Sequence, residues 1–124
     1  MAKVIGLGGA FLKAQDPKNL ADWYRDKLGI GINEHNYIDF PFADAEGKVI
    51  KGSNVFSLFK AESPYFAPSQ KGAMINFRVD DLLAFLEEIK AKGVELVGDP
   101  MIEDYGKFAW VMDPEGNKIE FWEP

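Results

Sequence analysis

Residues 113–124 read Asp113-Pro-Glu-Gly-Asn-Lys-Ile-Glu-Phe-Trp-Glu-Pro124, and they predict a turn followed by a strand. Pro114 presets the backbone angle φ at the second position of a tight turn, and Gly116 tolerates the positive φ that such turns often need. The segments over 108–112, before the turn, and over 118–122, after it, follow a period of two. Two alternating segments on either side of one turn predict a β-hairpin.

Glu120 lies in the middle of the second predicted strand, on the opposite face from Ile119 and Phe121. If these two apolar residues face the core, the carboxylate faces either a concavity or solvent. In a concavity it would serve as a metal ligand or as a base, whereas on an ordinary solvated sheet face it would have no chemical role. The pattern by itself leaves both interpretations open.

The composition is that of one soluble globular domain. The 124 residues are 47% hydrophobic and 27% charged, which suits a chain long enough for a full core. The net charge of −6, with no run of Lys or Arg, argues against nucleic acid and anionic membrane surfaces as partners. The absence of cysteine excludes disulfides, a thiolate nucleophile and a Cys-based zinc site. No apolar run is long enough to span a membrane or form a signal core, so we expect a cytoplasmic protein.

The first half of the chain predicts a strand, a helix and further strands. Segment 4–13 is apolar but carries glycines at 6, 8 and 9, which disfavour a helix and indicate that something approaches this strand closely. Asp16 predicts the N-cap of a helix that begins at Pro17 and ends at Gly29. One or two strands over 30–42 and another over 54–60 complete this half.

The second half repeats this order. A strand over 73–79 precedes a helix that Asp80 or Asp81 caps and that Gly93 ends, and a strand over 94–97 precedes the hairpin. An internal duplication into two βαβββ modules, residues 1–62 and 71–124, is the simplest account. The loop over 62–70, which contains two prolines, would join the two modules.

Three motifs resemble those of the vicinal oxygen chelate superfamily, which includes glyoxalase I, bleomycin-resistance proteins and extradiol dioxygenases. They are Asp16-Pro-Lys-Asn-Leu-Ala-Asp-Trp-Tyr-Arg-Asp-Lys-Leu-Gly29, Asn76-Phe-Arg-Val-Asp80 and Asp113-Pro-Glu-Gly-Asn-Lys-Ile-Glu120. They occur in both halves, so the resemblance covers essentially all of residues 1–124 as a single domain. It implies an α+β fold, in which the two βαβββ modules form a curled, mostly antiparallel sheet around a ligand cavity. It also implies a homodimer.

The resemblance further implies where a divalent metal would bind, because the family usually holds one with side chains from four strands. The four corresponding positions in this chain are Gly9, Ser57, Met74 and Glu120. Glycine offers no side chain, a thioether is a poor ligand for such ions, and a neutral serine is a weak one. Only Glu120 matches the family pattern. We therefore expect no metal cofactor, and neither glyoxalase I nor extradiol dioxygenase chemistry of the standard kind.

His35 is the only histidine in the chain, and it falls with Glu34 among the middle strands of the first module. It would join Glu120 at a metal only if its strand curled inward; otherwise it is a rim or surface residue. Catalytic metal sites generally use three protein ligands, so we expect His35 at the surface.

Strand alternation predicts which side chains line the cavity. Aromatic walls with a few polar groups are typical of a small-molecule site, although aromatic residues can also simply fill the trough as core. Arg78 and Glu120 are the predicted catalytic pair, Arg78 to hold a carboxylate and Glu120 to act as a base, unless the two pair with each other. The predicted ligand contacts are Phe11, Ser57, Phe59, Met74, Asn76, Trp110, Lys118 and Trp122.

Three functions fit these residues. The first is metal-independent binding of a small amphipathic or aromatic molecule, as in the bleomycin-resistance branch; a cavity filled by the chain's own side chains would rule it out. The second is a lyase or isomerase, either metal-free with Glu120 as base or weakly metallated and glyoxalase-like. The third is a non-catalytic structural or interaction module. Its candidate apolar patch is the loop over 62–70 with Tyr65 and Phe66, unless these aromatic residues tuck back as a lid.

Overall fold

The computed structural model describes residues 1–124 as two α-helices packed on a seven-stranded mixed sheet. The strands are β1 (Val4–Ala14), β2 (Tyr37–Ala43), β3 (Val49–Lys60), β4 (Ala73–Val79), β5 (Met101–Glu103), β6 (Gly106–Met112) and β7 (Lys118–Glu123). The helices are α1 (Pro17–Leu28) and α2 (Leu82–Ala91), and a 3₁₀ turn covers Pro64–Phe66. Neither α-helix has the length and apolar character needed to cross a membrane.

The two modules join edge to edge within one chain. The strand order is β2-β3-β1-β4-β7-β6-β5, and the seam between the modules is the antiparallel pair β1–β4. Two pairs are parallel, β1–β3 and β4–β7, because in each module a helix and at least one further strand bring the chain back between the paired strands. The remaining pairs are antiparallel, so the sheet is mostly antiparallel and open, as predicted.

Each helix begins and ends where the sequence predicts. Asp16 accepts a hydrogen bond from the backbone N–H of Asn19 at 3.1 Å, and Gly29 ends α1 in the left-handed conformation with φ of 69°. Asp81, not Asp80, caps α2 by accepting from the backbone N–H of Ala84 at 3.2 Å. These caps satisfy backbone groups that a helix leaves unpaired at its ends.

Apolar side chains gather on both faces of the sheet. On the helix side, one cluster includes Leu82 and Phe121 beneath α2, and another joins Ala21, Ile32 and Leu58 beneath α1. On the opposite face, which we call the trough face, the buried residues are Phe11, Phe66 and Met74. The alternation of β7 therefore places Phe121 in the helix-side core and Glu120 on the trough face.

Of the one or two strands predicted over 30–42, one forms as β2, and the strand predicted over 94–97 does not form in full. The first module has two strands after its helix, not three, because residues 30–36 make turns. Within them the Asn33 side chain accepts from the backbone N–H groups of His35 and Tyr37 at 2.9 and 3.2 Å, and such local bonds compete with a strand ladder. In the second module the strand predicted over 94–97 is reduced to a single bridge between Leu96 and Val111.

Close approaches explain two of the three glycines in β1. A Cβ on Gly9 would lie 2.2 Å from the carbonyl oxygen of Val55 in β3, and a Cβ on Gly8 would lie 2.0 Å from Oδ1 of Asn76 in β4. The prediction that something approaches this strand closely is confirmed. At Gly9 the neighbour is backbone, which cannot move aside as a flexible side chain can.

Gly9→Ala is expected to lower the free energy of unfolding by about 1–3 kcal/mol, since the new methyl group forces β1 and β3 apart. Urea denaturation measures this loss. The matched control is Gly72→Ala, where a Cβ would meet nothing within 4 Å and the change should stay within about 0.5 kcal/mol. Equal stability of the two variants would contradict the close β1–β3 contact.

Candidate functional site

Glu120 is a buried carboxylate that receives three hydrogen bonds. Only 2% of the residue is exposed. Asn76 Nδ2 donates to Oε1 at 2.5 Å, and Trp110 Nε1 donates to Oε2 at 2.8 Å. The Tyr65 hydroxyl also donates to Oε2. Of the two interpretations that the sequence left open, the concavity is therefore confirmed, because the carboxylate faces protein donors and not solvent.

The strand register brings two of these donors to Glu120. Asn76 on β4 and Trp110 on β6 are its direct neighbours on either side in the sheet, and directly paired residues share a face. Tyr65 comes instead from the loop between the modules. Its backbone N–H is held by the Ser63 side chain at 3.3 Å, which starts the 3₁₀ turn. The site thus combines fixed sheet donors with one donor on a loop.

The loop over 62–70 lies over the trough face as a lid. Phe66 is fully buried and packs with Phe11 and Met74. Lys118 Nζ donates to the Tyr65 carbonyl oxygen at 2.7 Å, and the Ser69 hydroxyl donates to the Gly116 carbonyl oxygen at 2.7 Å. The aromatic residues of this loop therefore tuck back onto the sheet, and the exposed apolar patch that the interaction-module hypothesis requires does not form here.

The surroundings of Lys118 and Tyr65 shift the pKa values of both side chains. Burial lowers the pKa of Lys118, and the charge of Glu120 partly offsets this. Its ammonium lies 5.5 Å from the centres of both the Tyr65 and the Trp110 rings. Burial also raises the pKa of Tyr65 above its usual value, and the charge and hydrogen bond of Glu120 raise it further. Tyr65 is therefore held as a neutral hydrogen-bond donor.

An aromatic cleft of about 590 Å³ opens beside this network. Tyr65, Trp110 and Lys118 belong to both, so the cleft begins where the Glu120 contacts end. Its full lining is Phe59, Ser63, Pro64, Tyr65, Val97, Gly98, Asp99, Trp110 and Lys118. A second cleft of about 570 Å³ shares Phe59, Ser63 and Pro64 with it. We call the first of these the Glu120 cleft.

The structure places the predicted site residues in several different surroundings. Phe59, Trp110 and Lys118 line the Glu120 cleft, and Asn76 and Glu120 form the hydrogen-bonded floor beside it. Phe11 and Met74 are core beneath the lid. Ser57 lines the second cleft together with His35, whose side chain is 73% exposed and lies 3.6 Å from Glu34.

Arg78 and Trp122 do not reach the Glu120 cleft, so the predicted pairing of Arg78 with Glu120 in one active site is wrong. The Arg78 guanidinium lies 4.6 Å above the Phe42 ring on β2, because its long side chain runs across β1 and away from β7. Trp122 stacks on Phe108 with ring centres 6.2 Å apart.

Sequence reasoning missed Tyr65 and the segment over 97–99. Both lie in loops, where alternation predicts no facing, and only the aromatic pair between two prolines indicated that the first loop folds back.

The four family metal positions do not fit a divalent cation. A Cβ on Gly9 would point at the Val55 carbonyl oxygen and not into the trough. Met74 is 1% exposed beneath the lid, and the Glu120 oxygens already accept from three protein donors. No group of three His, Cys, Asp or Glu side chains gathers anywhere in residues 1–124. A cation here would therefore have to displace protein donors and would gain one carboxylate.

A family model described as Glyoxalase/Bleomycin resistance protein/Dioxygenase superfamily matches residues 7–121. The chain belongs to this superfamily. An uncharacterized protein, YetH, from Bacillus subtilis (strain 168) is 25% identical over 117 residues, which cover 94% of this chain and 95% of that protein.

Solved structures of the superfamily share the fold. A methylmalonyl-CoA epimerase from Streptomyces coelicolor superposes with a TM-score of 0.68 at 18% identity, covering 98% of each chain. A glyoxalase/bleomycin resistance protein/dioxygenase superfamily member from Vibrio splendidus 12B01 gives a TM-score of 0.58 at 15% identity, over 99% of this chain and 98% of that one. At these identities the likeness concerns the fold, and the residues around Glu120 must indicate the function.

Tyr65→Phe removes the hydroxyl that donates to Glu120. At neutral pH the free energy of unfolding should fall by about 1.5–3 kcal/mol, the usual worth of a hydrogen bond to a charged group. The pKa of Tyr65 is raised from 10.0, so the folded state holds this proton more tightly than the unfolded chain. Its contribution is therefore complete below pH 10 and is lost as the pH rises above 10.

Urea denaturation of the wild type and Tyr65→Phe between pH 7 and pH 11 tests this sign. The stability difference should stay constant up to pH 10 and narrow above it. Lys118 acts in the opposite direction, because its pKa is lowered and the unfolded chain keeps that proton longer, but it is present in both proteins. Tyr105→Phe is the control, since that side chain is exposed. A difference that stays constant through pH 11 would contradict the Tyr65–Glu120 contact.

Proposed function

We propose that this superfamily member binds a small amphipathic or aromatic molecule in the Glu120 cleft without a divalent metal. The observation that carries the proposal is the cleft itself. Its volume of about 590 Å³ falls within the range of small-molecule sites. Its walls combine the rings of Phe59, Tyr65 and Trp110 with a single buried amine, Lys118. Ser63 and Asp99 are the other polar residues of the lining. Apolar walls with a few convergent polar groups are typical of sites that orient an amphipathic ligand.

Lys118 supports a ligand with a hydrogen-bond acceptor or an anionic group at one end. An ammonium carries three donors, and here one of them is used on the Tyr65 carbonyl oxygen. The ion pairs of the molecule do not include Lys118. An acceptor atom of the ligand could therefore bond to the Lys118 ammonium without breaking a salt bridge. The apolar body of the ligand would pack against the adjoining rings.

The lid limits where the ligand binds. Phe11, Phe66 and Met74 fill the trough floor, which argues against a ligand buried at that depth. The Glu120 cleft is lined by Ser63, Pro64 and Tyr65 of the lid and by none of these three core residues. We therefore place the ligand against the lid and not beneath it.

Binding is favoured over the lyase or isomerase alternative by the same contacts. A base must reach its substrate with a free oxygen, and both oxygens of Glu120 accept from protein donors. Proton transfer by Glu120 would first require the Tyr65 hydroxyl to break its hydrogen bond to Oε2. A binding protein needs no such step, because Glu120 then serves to hold the lid in place.

Lys118→Met provides the test, since it keeps the length of the side chain and removes the donor. The wild type should bind members of a panel of small aryl carboxylates and neutral aryl amphiphiles, detected by thermal shift and by a change in intrinsic tryptophan fluorescence. For an aryl carboxylate, the dissociation constant of Lys118→Met should rise about tenfold or more, which corresponds to one charge-assisted hydrogen bond.

Lys90→Met is the matched control. Lys90 lies on α2, 3.7 Å from Glu87, and its loss should leave the dissociation constant unchanged. The proposal fails if no panel member binds the wild type, or if the two lysine variants bind equally well.

We also propose that the protein acts as a cytoplasmic homodimer. Large apolar side chains on the first half of β1 and the start of β3 support the dimer: Val4, Ile5, Leu7, Val49 and Ile50 are each more than 40% exposed. Groups of exposed apolar residues often mark subunit contacts. The cysteine-free sequence suits a reducing compartment.

Light scattering should give a mass twice the chain mass of 13.9 kDa. Ile50→Lys should shift the protein toward monomer, because it places a charge in the proposed contact. Leu83→Lys is the control, since Leu83 is equally exposed but lies on α2. A wild type that remains monomeric at high concentration would refute the dimer.

A further inference from the structure

The structure assigns a second binding site to Arg78, one that takes a carboxylate or phosphate oxyanion. This site is independent of the proposed function, because no residue that holds Arg78 lines the Glu120 cleft. It uses the side of the trough face that the first module provides.

The Arg78 side chain follows a path that glycines leave open. It leaves β4 and crosses β1, where a Cβ on Gly8 would lie 3.0 Å from its Cγ. It then reaches β3, where a Cβ on Gly52 would lie 2.4 Å from Nη1. Side chains at these two positions would block the path. The absence of side chains at Gly8 and Gly52 thus leaves the space that the Arg78 side chain occupies.

An aromatic ring fixes the end of this path. The centre of the guanidinium lies 4.6 Å above the Phe42 ring on β2, within the distance of an attractive cation–π contact. The group is therefore positioned by residues from four neighbouring strands before any ligand arrives. Such preorganisation lowers the entropic cost of binding.

Arg78 has no partner for its charge. The cations of the ion pairs are Lys18, Arg25, His35, Lys90 and Lys107, and Arg78 is not among them. Its Nε is buried and has no hydrogen-bond acceptor, whereas its terminal nitrogens are not among the buried unpaired atoms. A buried donor left without an acceptor is costly. In a chain of net charge −6 this is an unusual arrangement, and a bound anion would relieve it.

The other arginine of the chain shows what a structural arginine looks like here. Arg25 pairs with the carboxylate of Asp22 and donates to the Ile32 carbonyl oxygen at 2.7 Å. Its charge and its donors are thus satisfied by the protein. Arg78 lacks both kinds of partner.

The geometry of a guanidinium determines the ligand class. Nε–H and one terminal N–H point in the same direction and match two oxygens of a carboxylate or a phosphate. An oxyanion bound at this edge would supply the acceptor that Nε lacks. A halide offers a single point and cannot take both bonds. We therefore expect oxyanions to be preferred over chloride.

The chain's two arginines make a direct test available. With uniform ¹⁵N labelling, an NMR spectrum of the arginine Nε–H region contains two signals, and the variants Arg25→Met and Arg78→Met assign them. Sodium phosphate, sodium acetate and sodium benzoate are titrated separately at constant ionic strength, with sodium chloride as the balancing salt. The Arg78 signal should shift and saturate with at least one oxyanion, while the Arg25 signal stays in place.

The phosphate and carboxylate arms distinguish the two sources of the oxyanion. Phe42→Leu keeps Arg78 and its charge but removes the ring. It should raise the dissociation constant of the saturating anion about threefold. The inference is overturned if the Arg78 signal shows no saturable shift, or if the Arg25 and Arg78 signals shift equally as the anion is added. It is also overturned if Phe42→Leu binds the anion as tightly as the wild type does. It is also overturned if Arg78→Met converts a dimer to a monomer in light scattering while the anions have no effect, since a carboxylate of a second copy then holds Arg78. Ligand binding in the Glu120 cleft is measured separately by the Lys118→Met comparison, so either result can fail alone.

Discussion

A carboxylate buried in the sheet has to be compensated, and Glu120 is compensated by donors from three separate parts of the chain. Taking an ionised group out of water is costly unless hydrogen bonds replace the lost hydration. Asn76 and Trp110 supply two of these bonds from the strands on either side, and Tyr65 supplies the third from the loop between the modules. The requirement therefore links the position of the loop to the register of β4, β6 and β7. The lid, the amine of Lys118 and the shape of the Glu120 cleft all depend on this link.

The same contacts restrict the chemistry that the site can support. A divalent cation needs several anionic or imidazole ligands, and a general base needs an accessible oxygen. Oε2 of Glu120 accepts from Tyr65 and Trp110, and Oε1 accepts from Asn76, so a cation or a substrate would compete with these donors. In this chain the carboxylate that matches the family motif holds the lid in place. Of the lid residues, Ser63, Pro64 and Tyr65 line the Glu120 cleft together with Lys118.

Sequence patterns predicted the features that depend on neighbours along the chain. The turn at 113–117, the caps at Asp16 and Asp81 and the opposite facing of Glu120 and Phe121 follow from local backbone chemistry and from the two-residue period of a strand. The role of Tyr65 was not predictable in this way, because a loop has no period and its partner lies 55 residues away. Arg78 was assigned to the correct face but to the wrong neighbours. Its side chain is long enough to cross β1. Alternation predicts on which face of the sheet a side chain lies, but not toward which neighbouring strand it extends.

The parallel pairs β1–β3 and β4–β7 place different residues at equivalent positions of the two modules. Phe11 lies five residues before the N-cap Asp16 and is paired with Ser57. Asn76 lies five residues before the N-cap Asp81 and is paired with Glu120. The equivalent places thus hold a ring and a small hydroxyl in one repeat, and an amide and an acid in the other. Under the predicted duplication, the first repeat contributes the apolar packing of Phe11 at these places, and the second contributes the amide and carboxylate that bond to each other.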